Sequence, residues 1–116
     1  MKEGEAEFLY LTTTGRRSGQ PREIEIWFTE REGCYYMIAE HLEEAHWVQN
    51  LRVDPRVRVR AGDGFLDARA RVIDATAEPA LCATVQELSE RKYGWGDGLV
   101  VEIAPLRDAA RLTRPS

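Results

Sequence analysis

The stretch "RVRVRAGDGFLDARARV", residues 56 to 72, admits little besides a β-hairpin. Val57 and Val59 alternate with Arg58 and Arg60, Gly62-Asp63-Gly64 supplies a turn, and Ala68, Ala70 and Val72 alternate with Asp67, Arg69 and Arg71. A period of two places every apolar side chain on one face, and a slip of one residue would turn all of them outward. A chain built around such a hairpin must supply further strands to cover its apolar face.

Those strands are legible. Glu7 to Thr13 is apolar and β-branched, and Arg22 to Glu30 alternates, with Ile24, Ile26 and Phe28 on one face and Glu23, Glu25, Trp27 and Thr29 on the other. Cys34 to Ala39 follows the turn at Arg31-Glu32-Gly33, and Leu99 to Ala104 runs until Pro105 stops it. Two segments change period. A short helix carries Ala45, Val48 and Leu51 on one stripe and ends at Asp54-Pro55, because the residue before proline is disfavoured in helical geometry. A second runs from Glu78 to Tyr93 with Leu81, Val85 and Leu88 stepping by three and four, and Gly94 closes it. The order predicts a mainly β fold: six short antiparallel strands in a small barrel, with helices covering its openings.

At 116 residues the chain has room for one core. A single domain over 1–106 and a polar tail over 107–116 are expected. With 43% apolar and 31% charged residues, global disorder is excluded, and a net charge of -4 argues against a nucleic-acid partner while leaving room for a local basic patch. No apolar stretch approaches the roughly 18 residues of a membrane span, and the acidic start MKEGEAE is unlike a signal leader. Cys34 and Cys82 stand in no CxxC or Cys/His ligand spacing, so free thiols in a reducing cytoplasm are expected.

The first two strands are joined by a loop with more positive charge than a hairpin needs: "LTTTGRRSGQPRE", residues 11 to 23. Glycine lets backbone N–H groups approach a ligand, hydroxyls add donors, and guanidinium forks match phosphate or carboxylate oxygens. The residues fit an anion site, or equally a solvated hairpin whose arginines pair with surface glutamates; the GxxxxGK[ST] and GxGxxG spacings are both absent. On the short helix, Trp47 and Asn50 are three apart and so neighbours. Trp47 suits either core packing or stacking on a flat heterocycle, and Asn50 suits either a helix cap or a ligand contact. His41 and His46 are five apart without a third ligand, which reads as surface or capping histidines rather than a metal site. No nucleophile signature frames any residue, so no catalytic side chain is assigned. Tyr93 and Trp95 in "RKYGWGDG" either line a pocket or anchor a loop.

Taken in order, "LTTTGRRSGQPR", "WVQNLRVDPRVRVR" and "VVEIAP" resemble the deazaflavin-dependent nitroreductase family, a branch of the flavin-binding split β-barrel, pyridoxamine-phosphate-oxidase-like proteins. The resemblance spans about residues 8 to 106. It implies a six-stranded antiparallel split barrel of the FMN-binding type holding coenzyme F420, with FMN as the alternative cofactor; both ligands bear an anion. The implied cofactor-binding residues are Thr14, Gly15, Arg16, Arg17, Ser18, Gly19 and Arg22 in the loop, Ile38, Ala39 and Glu40 after the third strand, and Trp47 and Asn50 on the helix. The implied activity is hydride transfer from reduced F420 to a quinone, nitro compound or activated alkene, against an FMN-binding protein or a cofactor carrier without turnover. The resemblance also implies a homodimer, in keeping with the outward Trp27 between glutamates. One departure is the acidic "EHLEEAHW", where many relatives carry a glycine-rich, often lysine-bearing segment; its carboxylates must point away from an anionic tail or pair with arginine.

Overall fold

Every strand lies antiparallel to its neighbours in one curled sheet. The computed structural model describes residues 8–40, 44–61 and 64–106. In chain order these form β1 (Phe8–Thr14), β2 (Pro21–Trp27), β3 (Thr29–Arg31), β4 (Cys34–Ala39), α1 (His46–Val53), β5 (Arg56–Ala61), β6 (Gly64–Val72), α2 (Pro79–Tyr93) and β7 (Leu99–Pro105). The sheet order is β2-β1-β5-β6-β7-β4-β3. Its two edge strands, β2 and β3, are separated in sequence by Phe28 alone, so the sheet curls until its edges approach each other around that residue.

The expected split barrel is therefore present, with seven strands rather than six. The run Arg22 to Glu30 does not form one strand, because the chain crosses from one edge of the sheet to the other at Phe28. There the alternation fails, and Phe28 and Thr29 are both buried although they are consecutive. Thr29, expected on the outer face with Trp27, points inward. The short helix begins at His46 and does not include Ala45, whose own backbone is extended, and it ends at Asp54 as the following proline requires. Glu78 precedes α2, with Pro79 in its first turn where a missing N–H costs nothing. The strand start at Glu7, the turn residues Gly62 and Asp63, the segment His41 to Glu43 and the tail 107–116 lie outside the described residues.

The barrel interior is filled by alternating residues of the strands, among them those that the hairpin pattern of residues 57 to 72 predicts. Leu9 and Leu11 from β1, Val57 and Val59 from β5, Ala68 and Ala70 from β6, and Val101 and Ile103 from β7 meet Leu51 of α1. Burying each larger aliphatic side chain contributes about 1.5–3 kcal/mol. The opposite face of β4 and β7 carries a second cluster, in which Tyr36 and Val100 pack with Cys82 and Val85 of α2. Both cysteines are free thiols.

Polar contacts fasten α2 to the sheet at both ends. At its start, Arg71 of β6 pairs with Glu78 and also donates to Glu102 at 3.2 Å, while the Tyr36 hydroxyl donates to Glu102 at 2.8 Å. Tyr36, Glu102 and Arg71 are successive partners across β4, β7 and β6, so the register itself aligns them. At the end of α2, the Phe28 N–H donates to the Tyr93 hydroxyl at 3.0 Å, and the Phe28 carbonyl accepts from Tyr93 at 2.8 Å and from Lys92 at 2.9 Å. The backbone where the barrel closes is thus satisfied by side chains of a helix.

Two outcomes follow. Replacing Tyr93 with phenylalanine leaves the Phe28 N–H without its acceptor while the carbonyl keeps Lys92, and urea unfolding should report a loss of about 1–3 kcal/mol. Burial, followed by the hydrogen bond to Glu102, pushes the Tyr36 phenol up from 10.0 to about 12. A raised folded-state value means that the fold favours the neutral phenol, so this stabilisation is complete below pH 10 and is lost as pH rises toward 12. The alkaline fall in the urea midpoint should be shallower in Tyr36→Phe than in the wild type.

Candidate functional site

The loop from Gly15 to Gln20 closes on itself before β2 begins. The Gly15 N–H donates to the Gln20 carbonyl at 2.8 Å, the Gly19 N–H donates to the Gly15 carbonyl at 2.8 Å, and the Gln20 N–H donates to Ser18 Oγ at 3.1 Å. A side chain at Gly15 has no room: its Cβ would lie 2.7 Å from Ser18 Oγ and 3.2 Å from the Gln20 oxygen. The loop is accordingly a tight cradle rather than a slack connection, and it projects Arg16, Arg17 and Ser18 toward α1.

Asn50 decides where the first of these arginines goes. It is 5% exposed, and its Oδ1 accepts from the Arg16 backbone N–H at 3.2 Å and from Arg16 Nη1 at 2.8 Å. Its amide nitrogen donates to Thr13 Oγ1 at 3.2 Å. His46 Nδ1 lies 3.3 Å from Arg16 Nη2. Asn50 is therefore not a side-chain helix cap; it is a buried bracket joining α1, the end of β1 and the loop. Among the described residues Arg17 and Arg22 are exposed and have no carboxylate partner, in contrast with Arg56, Arg58, Arg60 and Arg71, each paired with an Asp or Glu. The solvated-hairpin reading pairs these loop arginines with surface glutamates, and among the described residues Arg17 and Arg22 have no such partner.

A cleft of about 400 Å³ opens between loop and helix, lined by Thr13, Gly15, Arg16, Arg17, Ser18, Arg22, Ile24, His46, Trp47 and Asn50. Trp47 packs against the core, as one of its two alternatives had it, and also lines this cleft. A second cleft of about 460 Å³ is lined by Glu25, Ile26, Trp27, Phe28, Ile38, Glu40, Ser89, Tyr93 and Trp95. Strand β2 contributes Arg22 and Ile24 to the first and Ile26 to the second, so the two follow one another along it. The Trp27 and Tyr93 rings stack at 4.4 Å with an interplanar angle of 2°. Trp27 thus has an intramolecular partner despite being 47% exposed. Tyr93 and Trp95 fulfil both of their expected roles: Tyr93 anchors the barrel closure, the Trp95 carbonyl accepts from Ser89 at 2.6 Å, and both line the cleft.

Of the residues singled out in the sequence, Gly15, Arg16, Arg17, Ser18, Arg22, Trp47 and Asn50 meet in the arginine cleft, and Ile38 and Glu40 in the aromatic one. Three do not face either. Thr14 points to the other side of β1, beside Thr12, Arg56 and Arg58. Gly19, at φ 71°, makes the turn but lines neither cleft. Ala39 is buried, with its carbonyl pressed by Gly98, where a Cβ would come within 2.6 Å. Thr13 takes the inward place, as the alternation Leu9, Leu11, Thr13 implies. His46 could be found only from its spatial neighbour Arg16, thirty residues away. Removing the bracket should cost stability: Asn50→Ala strips partners from three groups, and a loss of about 1–3 kcal/mol is expected in thermal or urea unfolding.

An antiparallel curled half-barrel with two helices and paired clefts along one edge strand defines a split-barrel protein of the flavin-binding type. Residues 3–96 match the model of the F420H(2)-dependent quinone reductase family, and the chain belongs to that family. Solved structures agree. An F420-H2 dependent reductase is 27% identical, with 84% of this chain and 92% of that one covered and a TM-score of 0.65. A protein described as a domain-swapped dimer is 25% identical over 85% of this chain and 80% of that one, with a TM-score of 0.65. A pyridoxamine 5'-phosphate oxidase-like protein of Listeria innocua, 15% identical over 88% of this chain and 86% of that one, shares the fold with a TM-score of 0.68.

Proposed function

We propose that the chain is an F420-dependent reductase acting on quinones and related electron-poor acceptors, with the cofactor's anionic tail held in the arginine cleft. The observation that carries this reading is that Arg17 and Arg22 lack carboxylate partners among the described residues, beside an Arg16 pinned by buried Asn50. Exposed guanidinium groups left unneutralised at the mouth of a glycine cradle suit phosphate and carboxylate oxygens. The donor set fits such a tail, and the family membership and the similar F420-H2 dependent reductase support the same cofactor.

Reduced F420, when bound, supplies a hydride; the protein contributes binding, orientation and a drier environment. In this reading Arg16, Arg17, Ser18 and Arg22 hold the tail, and Trp47 borders the more apolar part of the ligand. Ile26, Ile38, Tyr93 and Trp95 form the apolar walls within which an acceptor would lie. No side chain is assigned a proton transfer. A homodimer is supported by the domain-swapped neighbour and by Phe8, Trp27 and Phe65, at 36%, 47% and 52% exposure.

Titration with F420 and with FMN, followed by absorbance and fluorescence, tests the reading. F420 should bind more tightly than FMN, and Arg17→Ala combined with Arg22→Ala should weaken F420 binding by about 1.5–3 kcal/mol for each charged hydrogen bond lost. Stability should stay within about 0.5 kcal/mol of wild type, because both side chains are exposed and have no carboxylate partner among the described residues. Unchanged affinity in the double variant would refute the tail-binding role. Binding without oxidation of the reduced cofactor by menadione would favour a carrier.

A further inference from the structure

The two clefts along β2 carry opposite charge. The first holds Arg16, Arg17, Arg22 and His46 and is lined by no carboxylate among the described residues. The second is lined by Trp27, Phe28, Tyr93 and Trp95, and its charged lining residues among those described are Glu25 and Glu40; Lys92 does not line it, its Nζ being held at the Phe28 carbonyl and lying over the Phe28 and Tyr93 rings at 4.0 and 5.1 Å. Neither carboxylate has an ion-pair or hydrogen-bond partner among the described residues, whereas Glu23, two residues from Glu25 on the same strand, is taken up by Arg60 at 3.3 Å. The acidic pair is therefore not spent on the fold.

We propose that Glu25 and Glu40 make the aromatic cleft selective for the charge of the acceptor: planar cationic molecules are bound best, neutral ones next, and anionic ones are rejected. This inference rests on the reading of that cleft as the acceptor subsite. Aromatic faces attract cations through the ring quadrupole, and unpaired carboxylates beside apolar walls repel an anion more strongly than they would in open water. Specificity arises as much from the repulsive element as from the attractive one. The same carboxylates keep the anionic tail of a cofactor in the arginine cleft, so that the charges of the two clefts set the direction in which a ligand lies. Glu25 and Glu40 would act on the choice of acceptor, while the hydride itself would be supplied by reduced F420 when bound.

The test uses binding alone, without F420. The chain has three tryptophans, and Trp47 lies in the arginine cleft, so a Trp47→Phe variant leaves Trp27 and Trp95 to report on the aromatic cleft. Quenching of their fluorescence would be titrated with the N-methylphenazinium cation, with menadione, and with 1,4-naphthoquinone-2-sulfonate, each corrected for absorption by the probe. The cation should bind more tightly than menadione, and the sulfonate roughly tenfold more weakly than menadione at low ionic strength. Adding Glu25→Gln and Glu40→Gln should bring the sulfonate and menadione to within about twofold of each other. In the unmutated chain the same preference should shrink as salt is raised, which keeps the test open if a variant fails to fold. Equal binding of sulfonate and menadione, or a preference that survives both the glutamine substitutions and high salt, would overturn the proposal. Failure of F420 to bind in the separate titration would strike the proposed function while leaving this charge order standing.

Discussion

The backbone of Phe28 is where both edges of the sheet come together. Because β2 and β3 are the outermost strands and one residue separates them, that residue cannot join either ladder in the ordinary way. Its N–H and carbonyl are buried polar groups that need partners, and Tyr93 and Lys92 supply them from the end of α2. The same contacts bring Tyr93 against Trp27, and both rings line the aromatic cleft with Ile38 and Trp95. Barrel closure, helix docking and cleft formation are therefore one event, and weakening the Phe28 contacts would loosen all three.

Asn50 plays the corresponding part at the other cleft. A buried side-chain amide is costly unless its hydrogen-bonding groups are used, and here they are used on residues 34 and 37 positions away in sequence. The arrangement holds Arg16 in one orientation while Arg17 and Arg22 remain exposed. Such a division suits recognition of an anion: one guanidinium is pre-organised before any ligand arrives, and the others retain their full capacity to pair. Along β2 the lining then changes from basic to aromatic and acidic within a few residues, a contrast sharper than the net charge of -4 suggests.

Much of this was legible before any fold was known. The hairpin of β5 and β6 was read with its faces correct, since Val57, Val59, Ala68 and Ala70 are buried and the arginines between them exposed. The loop from Gly15 to Arg22 stands out as well, because glycines and guanidinium groups concentrated in a short hairpin connection demand an explanation. Reading Arg22 to Glu30 as one strand failed because alternation describes residues in a ladder and says nothing of where a sheet runs out of neighbours. Thr14 was preferred to Thr13 although the period of two in β1 already favoured Thr13. The tie between Asn50 and Arg16 left no local trace, since an asparagine near a helix end reads as a cap until its neighbour from another strand is known.

By itself the sequence determined the antiparallel, mainly β character of this protein, the position of its two helices, and the cluster of residues able to meet an anion. These are properties of local period and residue chemistry, felt within a few residues along the chain. Tertiary structure alone decided that the sheet closes at Phe28, which arginine is braced and which are left open, and that Trp27, Glu25, Glu40 and Trp95 line one cleft. Each of these depends on which side chain from a distant segment satisfies a buried polar group or fills an exposed ring face, and curling of the sheet is what brings those segments together.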